Sequence, residues 1–178
     1  MTAFNRALAL GTFLLLVPPP LIAQGMPEGF REEFLRQFDS SMSKFEALAG
    51  AMPEAAYSWS PGEGVMPVAQ VYAHVARYNF LYPSQSLAVP VPAGVDLATV
   101  ETIREKSDIQ SLLARSRAHV DAAVRQGTDA DWSSSTQLYG RDVQRWTVLL
   151  QLLAHMNEHL GQSIAYARIN GVVPPWSR

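Results

Sequence analysis

Apolar residues recur along this chain at steps of three and four, the spacing of an α-helix face. The clearest run lies between Pro27 and Met52, where Phe30, Phe34, Phe38, Met42, Phe45, Ala49 and Met52 form a stripe. Arg31, Glu32, Arg36, Asp39, Lys44 and Glu46 fall off that stripe, which predicts a first amphipathic helix. Pro53, Pro61, Gly62 and Gly64 break the pattern and predict a loop over residues 53–66, with Tyr57 and Trp59 packing back on the core. Pro67 suits the first turn of a second helix, which the pattern ends at Tyr82, before Pro83. Pro90, Pro92 and Gly94 mark the next connection. Ser107 with Gln110 has the spacing of a capping box, and Ile109, Leu112, Leu113, Val120 and Val124 carry a third helix to Gly127. Residues 128–140 read as a polar loop. A fourth helix is expected from Arg141 to Asn170, closed by Gly171 as a left-handed cap and by Pro174 and Pro175. No strand-like alternation competes and no internal repeat is present, so the expected fold is all-α, a four-helix bundle.

The first residues obey a different pattern. Arg6 precedes an apolar run from Ala7 to Val17, three prolines follow, and Ala23 offers a small residue at a scissile position. That is the layout of a secretory signal peptide, and the run is short of the about 20 residues a membrane span needs. The expected division is residues 1–23 as a cleavable signal peptide and residues 24–178 as the helical domain. The protein would then be exported, periplasmic or extracellular; the alternative is an uncleaved N-terminal anchor. Without a cysteine there is no site for a lipid anchor.

Composition narrows the chemistry. The 178 residues are 48% hydrophobic and 17% charged, enough for one domain with a sizeable core. Fourteen basic residues face sixteen acidic ones with no basic block, which argues against nucleic acid as a partner. The cysteine count is zero, removing disulfides, thiolate ligands and a cysteine nucleophile together.

Four histidines remain: His74, His119, His155 and His159. His155 and His159, four apart on the fourth helix, project from one face within reach of a single cation. That face runs Val148, Leu152, His155, His159, Gln162, Tyr166 and Ile169; on the second helix Pro67, Val71, His74, Tyr78 and Leu81 trace a matching seam. Three imidazoles from two helices suit a divalent ion such as Zn, Ni or Fe and leave coordination positions open. The same spacing also fits histidines hydrogen-bonded inside a core. His119 lies off the third helix's stripe and is read as a packing residue. His155, Glu158 and His159 also spell the inverted zinc-protease motif, whose third ligand is a downstream acid. Residues 160–178 contain no Asp or Glu, so that reading fails. Glu158, about 60° around the helix from His155, remains a candidate base; Gln162 and Tyr166 are candidates to orient a ligand or water.

The segment from His155 through Met156, Asn157, Glu158, His159, Leu160 and Gly161 to Gln162, continuing to Trp176, resembles the last helix of DinB-like proteins (the DinB/YfiT type). Val71-Tyr72-Ala73-His74-Val75-Ala76 resembles that family's second-helix histidine segment. The resemblance covers Phe30 to Trp176. It implies an up-up-down-down or related four-helix bundle with one divalent metal ion on His74, His155 and His159. Relatives include small-thiol S-transferases, a thiol-dependent isomerase and metal-dependent hydrolases. Export disfavours thiol chemistry, because small thiols are scarce outside the cytosol. The leading expectation is therefore hydrolysis of a small-molecule substrate by metal-activated water. The alternatives are a small-thiol-dependent S-transferase and a non-catalytic metal-binding bundle. Homodimerisation is left open.

Overall fold

The computed structural model describes residues 25–177, so the expected signal peptide lies outside the described residues. Helix α1 spans Phe30–Ala51. Glu32 and Glu33 in its first turn face the positive end of the helix dipole, and Pro53 beyond its C-cap stops it. Phe34, Phe38, Met42, Phe45, Leu48 and Ala49 are buried along one face, close to the stripe expected. The following loop contains a 3₁₀ turn, Glu54–Ala56. Tyr57 is buried there, its hydroxyl donating to Ala49 O at 2.8 Å.

Helix α2 spans Val68–Ser86 and therefore runs through Pro83 rather than ending before it. Proline at this point forfeits one helical hydrogen bond, and the turn beyond it is held by other groups. Ser84 Oγ donates to Leu81 O, Ser86 Oγ donates to Gln137 O at 2.7 Å, and the Thr136 hydroxyl reaches Ser86 O. Helix α3 spans Lys106–Gln126 with Glu105 as its N-cap. Ser107 thus sits inside the first turn, and no side-chain cap forms at α3; the expected capping box is absent. One does form at the next helix, α4 (Asp129–Ser133), between Thr128 and Asp131.

Residues 128–140 are accordingly not a plain loop. After α4, strands β1 (Ser135–Leu138) and β2 (Arg141–Gln144) pair antiparallel, Leu138 opposite Arg141. Tyr139 and Gly140 turn the hairpin with φ of 51° and 74°, the left-handed pair that matches strand twist in a two-residue turn. The last helix, α5, consequently begins at Arg145 rather than Arg141 and runs to Ile169. Gly171, at φ 73°, ends it: Val172 N donates to Ala167 O and Gly171 N to Arg168 O, a Schellman motif.

Helices α1, α2, α3 and α5 form the bundle. Each of α1 and α2 packs against both α3 and α5, so α1 and α2 face each other across a diagonal. Residue pairs give the directions. Phe30 meets Trp146 and Ser41 meets Asn157, so α1 and α5 are parallel. Lys106 reaches Gly50 while Arg31 reaches Gly127, so α3 opposes α1. Asn79 bonds Ser116 and Phe80 packs on His119, while Leu87 and Ala123 share a pocket; α2 and α3 run together. The order is up-down-down-up, related to but distinct from the expected up-up-down-down. Large side chains fill the interior, among them Phe38, Met42, Phe45, Tyr72, Phe80 and Leu113. Two polar groups at the centre satisfy each other: Asn79 Nδ2 donates to the Ser116 hydroxyl at 3.1 Å, which itself donates to Leu113 O. Among the described residues no helix is long and apolar enough to cross a membrane.

Candidate metal centre

Antiparallel packing of α2 on α5 brings His74 against His155 and His159 although they lie far apart in sequence. Among the described residues, these three form a group whose ligand atoms all lie within 4.8 Å of one another. Ring centroids are 4.7 Å apart for His155 and His159, 4.8 Å for His74 and His159, and 5.1 Å for His74 and His155. All three rings are half-buried rather than enclosed. The expected seams need correcting to that extent: the His74–Tyr78–Leu81 side of α2 lies at the edge of the core, and Ile169, at the end of the α5 seam, is 64% exposed. The side chain of His74 borders an open pocket of about 410 Å³, shared with Arg77, Leu97, Ala98 and Glu101.

The outer nitrogens of two rings are held. His74 Nδ1 lies 2.9 Å from Glu101 Oε1; a carboxylate only accepts, so the imidazole donates and its Nε2 keeps a lone pair. At His159 the direction is fixed from the far end of a relay. Met66 O accepts from the Tyr166 hydroxyl at 3.3 Å, Tyr166 accepts from Gln162 Nε2 at 2.8 Å, and Gln162 Oε1 accepts from His159 Nδ1 at 2.8 Å. His159 therefore also presents a bare Nε2. His155 Nε2 stands 3.2 Å from His74 Nε2. Two nitrogens bound about 2.05 Å from a tetrahedral zinc are about 3.3 Å apart, so this spacing suits shared coordination. Outer-nitrogen bonds to a carboxylate and an amide are the support that metal-binding imidazoles require. The donor set thus fits a divalent ion.

Electrostatics agree with neutral imidazoles. Burial, reinforced by the neighbouring His159 and His74, pushes the His155 pKa down to about 4. Burial also lowers that of His74, with Glu101 opposing part of the effect. Imidazole must be unprotonated to ligate, so both rings are ready at neutral pH. Tyr78 covers the cluster from α2, its ring centroid 4.2 Å from His155 and 4.7 Å from His74. Tyr82, whose hydroxyl bonds that of Tyr139 on the hairpin turn, stands 6.0 Å from His155.

Of the other residues singled out from sequence, Gln162 and Tyr166 join the cluster through His159, whereas Glu158 is exposed on α5 and touches none of the histidines. His119 lies apart, on α3 against Phe80 with ring centroids 5.3 Å apart. Glu101 is the residue that sequence reasoning missed. It sits in a 3₁₀ turn, Val100–Thr102, inside the α2–α3 connection, where no periodicity marks it. The inverted zinc-protease motif takes its acid from downstream of its second histidine, and this one lies upstream of both.

The sequence matches the DinB superfamily over residues 37–167. Among curated protein sequences no significant match was found. The structure is similar to a DinB-like protein from Bacillus cereus ATCC 10987 (TM-score 0.72, 18% identity, covering 81% of this chain and 95% of that one). It is also similar to YfiT from Bacillus subtilis, described as a probable metal-dependent hydrolase with an unusual four-helix bundle topology (TM-score 0.65, 15% identity, 84% and 93%). A third similarity is to a mycothiol-dependent maleylpyruvate isomerase (TM-score 0.58, 21% identity), where the match covers 76% of this chain and 60% of that one. At these identities the likeness establishes the fold.

Proposed function

The chain belongs to the DinB superfamily, and on that footing we propose that it is an exported metal-dependent hydrolase of a small substrate. The observation that carries the reading is the convergence of His74, His155 and His159 with their outer nitrogens committed to Glu101 and Gln162. Such a set holds one divalent ion, Zn, Ni or Fe, through three neutral imidazoles. When bound, an ion of this kind supplies a Lewis acid and acidifies water toward neutrality. The chain's own residues then do the positioning. Glu101 keeps the His74 proton on Nδ1, and its negative charge raises the basicity of that ring. Gln162 does the same for His159 without a charge, and Tyr166 holds Gln162 in place from Met66 O. Tyr78 excludes water from the α2 side of the rings. Gln162 and Tyr166 are positioning residues in this scheme, and exposed Glu158 has no part in it.

The similarity to a mycothiol-dependent isomerase supports a second reading, a small-thiol-dependent S-transferase, and a bundle that binds metal without turnover is a third. One experiment separates them. Protein purified without a histidine tag is assayed for metal, then for hydrolysis of simple esters and amides with and without chelator, beside His155→Ala. Metal-dependent turnover needing no thiol supports the hydrolase. Turnover only with added thiol refutes it in favour of transfer, and stoichiometric metal without turnover leaves the binding bundle. Absence of metal, with no uptake of Zn, Ni or Fe, removes all three. Export is tested separately by N-terminal sequencing of secreted protein: Gln24 is expected, and an intact Met1 refutes cleavage.

A further inference from the structure

The outward face of α5 differs from those of the other bundle helices. Leu150, Ala154, Gly161, Ala165 and Ile169 are exposed along it, all within about 100° of arc. Two of them are large, Leu150 at 43% and Ile169 at 64% exposure. Among the described residues, α1, α2 and α3 expose no large hydrophobic side chain, and α1 instead turns Glu32, Glu33, Arg36 and Asp39 to solvent. The α5 face is not part of the histidine cluster: His155 and His159 lie about 120° and 160° around the helix from Gly161.

Gly161 sits in the middle of this face. A Cβ added to it would meet nothing within 4 Å, and its backbone is helical. Glycine inside an exposed helix is less favourable than alanine, and no neighbour in its own chain requires it here. What a missing side chain provides is close approach of another backbone.

The only charged residues on the exposed face are Glu158 and Arg168, and neither has an ion-pair partner among the described residues. They are ten residues apart, about 15 Å along the axis. Residue 163 is midway between them, and it is also midway between Gly161 and Ala165. Two α5 helices laid antiparallel about a two-fold axis at that level therefore set Glu158 beside the partner's Arg168, twice. The same operation sets Gly161 beside the partner's Ala165, twice. A surface that complements itself in both charge and relief fits an isologous contact.

We propose that the outward face of α5 binds a second copy of this chain, antiparallel about a two-fold axis level with residue 163. Gly161 and Ala165 form the close crossing, Leu150 and Ile169 are covered on either side of it, and the two Glu158–Arg168 pairs fix the register.

The test is sedimentation equilibrium of the purified protein across micromolar concentrations, beside charge-reversed variants. A reversible dimer is expected. Glu158→Arg and Arg168→Glu should each weaken it at least about fivefold, because either change turns two attractions into two repulsions. The double reversal recreates both pairs and should return the affinity to within about twofold of the parent. Gly161→Glu brings a carboxylate from each copy to the crossing and should weaken the dimer at least about tenfold. The open space at Gly161 predicts that this variant folds, which circular dichroism and thermal unfolding check, and the double reversal tests the contact without it. A protein that stays monomeric at all these concentrations overturns the proposal. So does a dimer unchanged by Gly161→Glu, which would place the contact on another face. Single reversals without effect, or a double reversal that fails to restore the dimer, refute the antiparallel pairing.

Discussion

Glu101→Gln isolates the electrostatic part of the support beneath His74. The carboxylate accepts from Nδ1 at 2.9 Å, with the His74 and Glu101 side chains 18% and 25% exposed, so the bond is largely shielded from water. Glutamine keeps an acceptor oxygen in reach but removes the charge. Hydrogen bonds to charged groups contribute about 1.5–3 kcal/mol and neutral ones about 0.5–1.5, so the substitution loses about 1–2 kcal/mol of metal-binding free energy. At 1.4 kcal/mol per decade that is a weakening of about fivefold to thirtyfold. Glu101→Ala removes the acceptor altogether and should lose about tenfold to 150-fold. Fold stability should change little, because the ion pair Glu101 makes with Arg77 is 3.7 Å long and partly exposed. The assay is competition for Zn²⁺ against a chromogenic chelator at pH 7, with Glu158→Gln as a control expected to match the parent protein. A Glu101→Gln affinity within about twofold of the parent, or a loss equalled by Glu158→Gln, would refute the reasoning.

Three further outcomes follow from other parts of the structure. Zinc should raise the melting temperature in step with its concentration, and the rise should vanish in His155→Ala, as linkage requires for an ion that binds only the folded state. Gly127→Ala should lower the urea midpoint by an amount worth about 1–3 kcal/mol, because an added Cβ would lie 2.7 Å from the Trp132 ring. His119→Phe should make the chelator-treated protein less acid-sensitive. Burial lowers the His119 pKa below the ordinary 6.5, so below that pH the unfolded chain binds more protons and stability falls as pH falls. Urea unfolding across pH 7 to 5 should show a shallower loss in the variant, and an identical slope would rule out the contribution.

The long helices were legible in the sequence because each buries one face for three or more turns, which leaves a periodicity that turn residues only punctuate. The Phe34–Phe38–Met42–Phe45 stripe and the His155–His159 spacing both belong to that class. The hairpin was not legible for the opposite reason. Four-residue strands are too short to show alternation, and its turn is Tyr139-Gly140 in place of the usual Asn-Gly. Pro83 and Ser107 carry local signals that tertiary contacts override: the Ser86–β1 bonds hold the turn beyond Pro83, and α3 starts two residues earlier than a Ser107 cap requires. Of the histidine cluster, the three rings could be named from helical spacing, and Gln162 and Tyr166 lie one and two turns further along the same face. Glu101 could not, since an irregular connection delivers it and only the packed structure shows which helix that connection crosses.

His74 and His155 are 81 residues apart, on helices that meet only when the final element docks. The cluster cannot exist in a chain that has assembled α1 to α3 alone; if α5 docks after the folding transition state, it belongs to the last contacts made and the first released. Interactions absent from a folding transition state act on the unfolding rate and leave the refolding rate almost untouched. A cation held there would therefore prolong the lifetime of the native bundle without hastening its formation, a clasp that resists opening. If the chain is exported as proposed, persistence of that kind would govern how long it survives proteases.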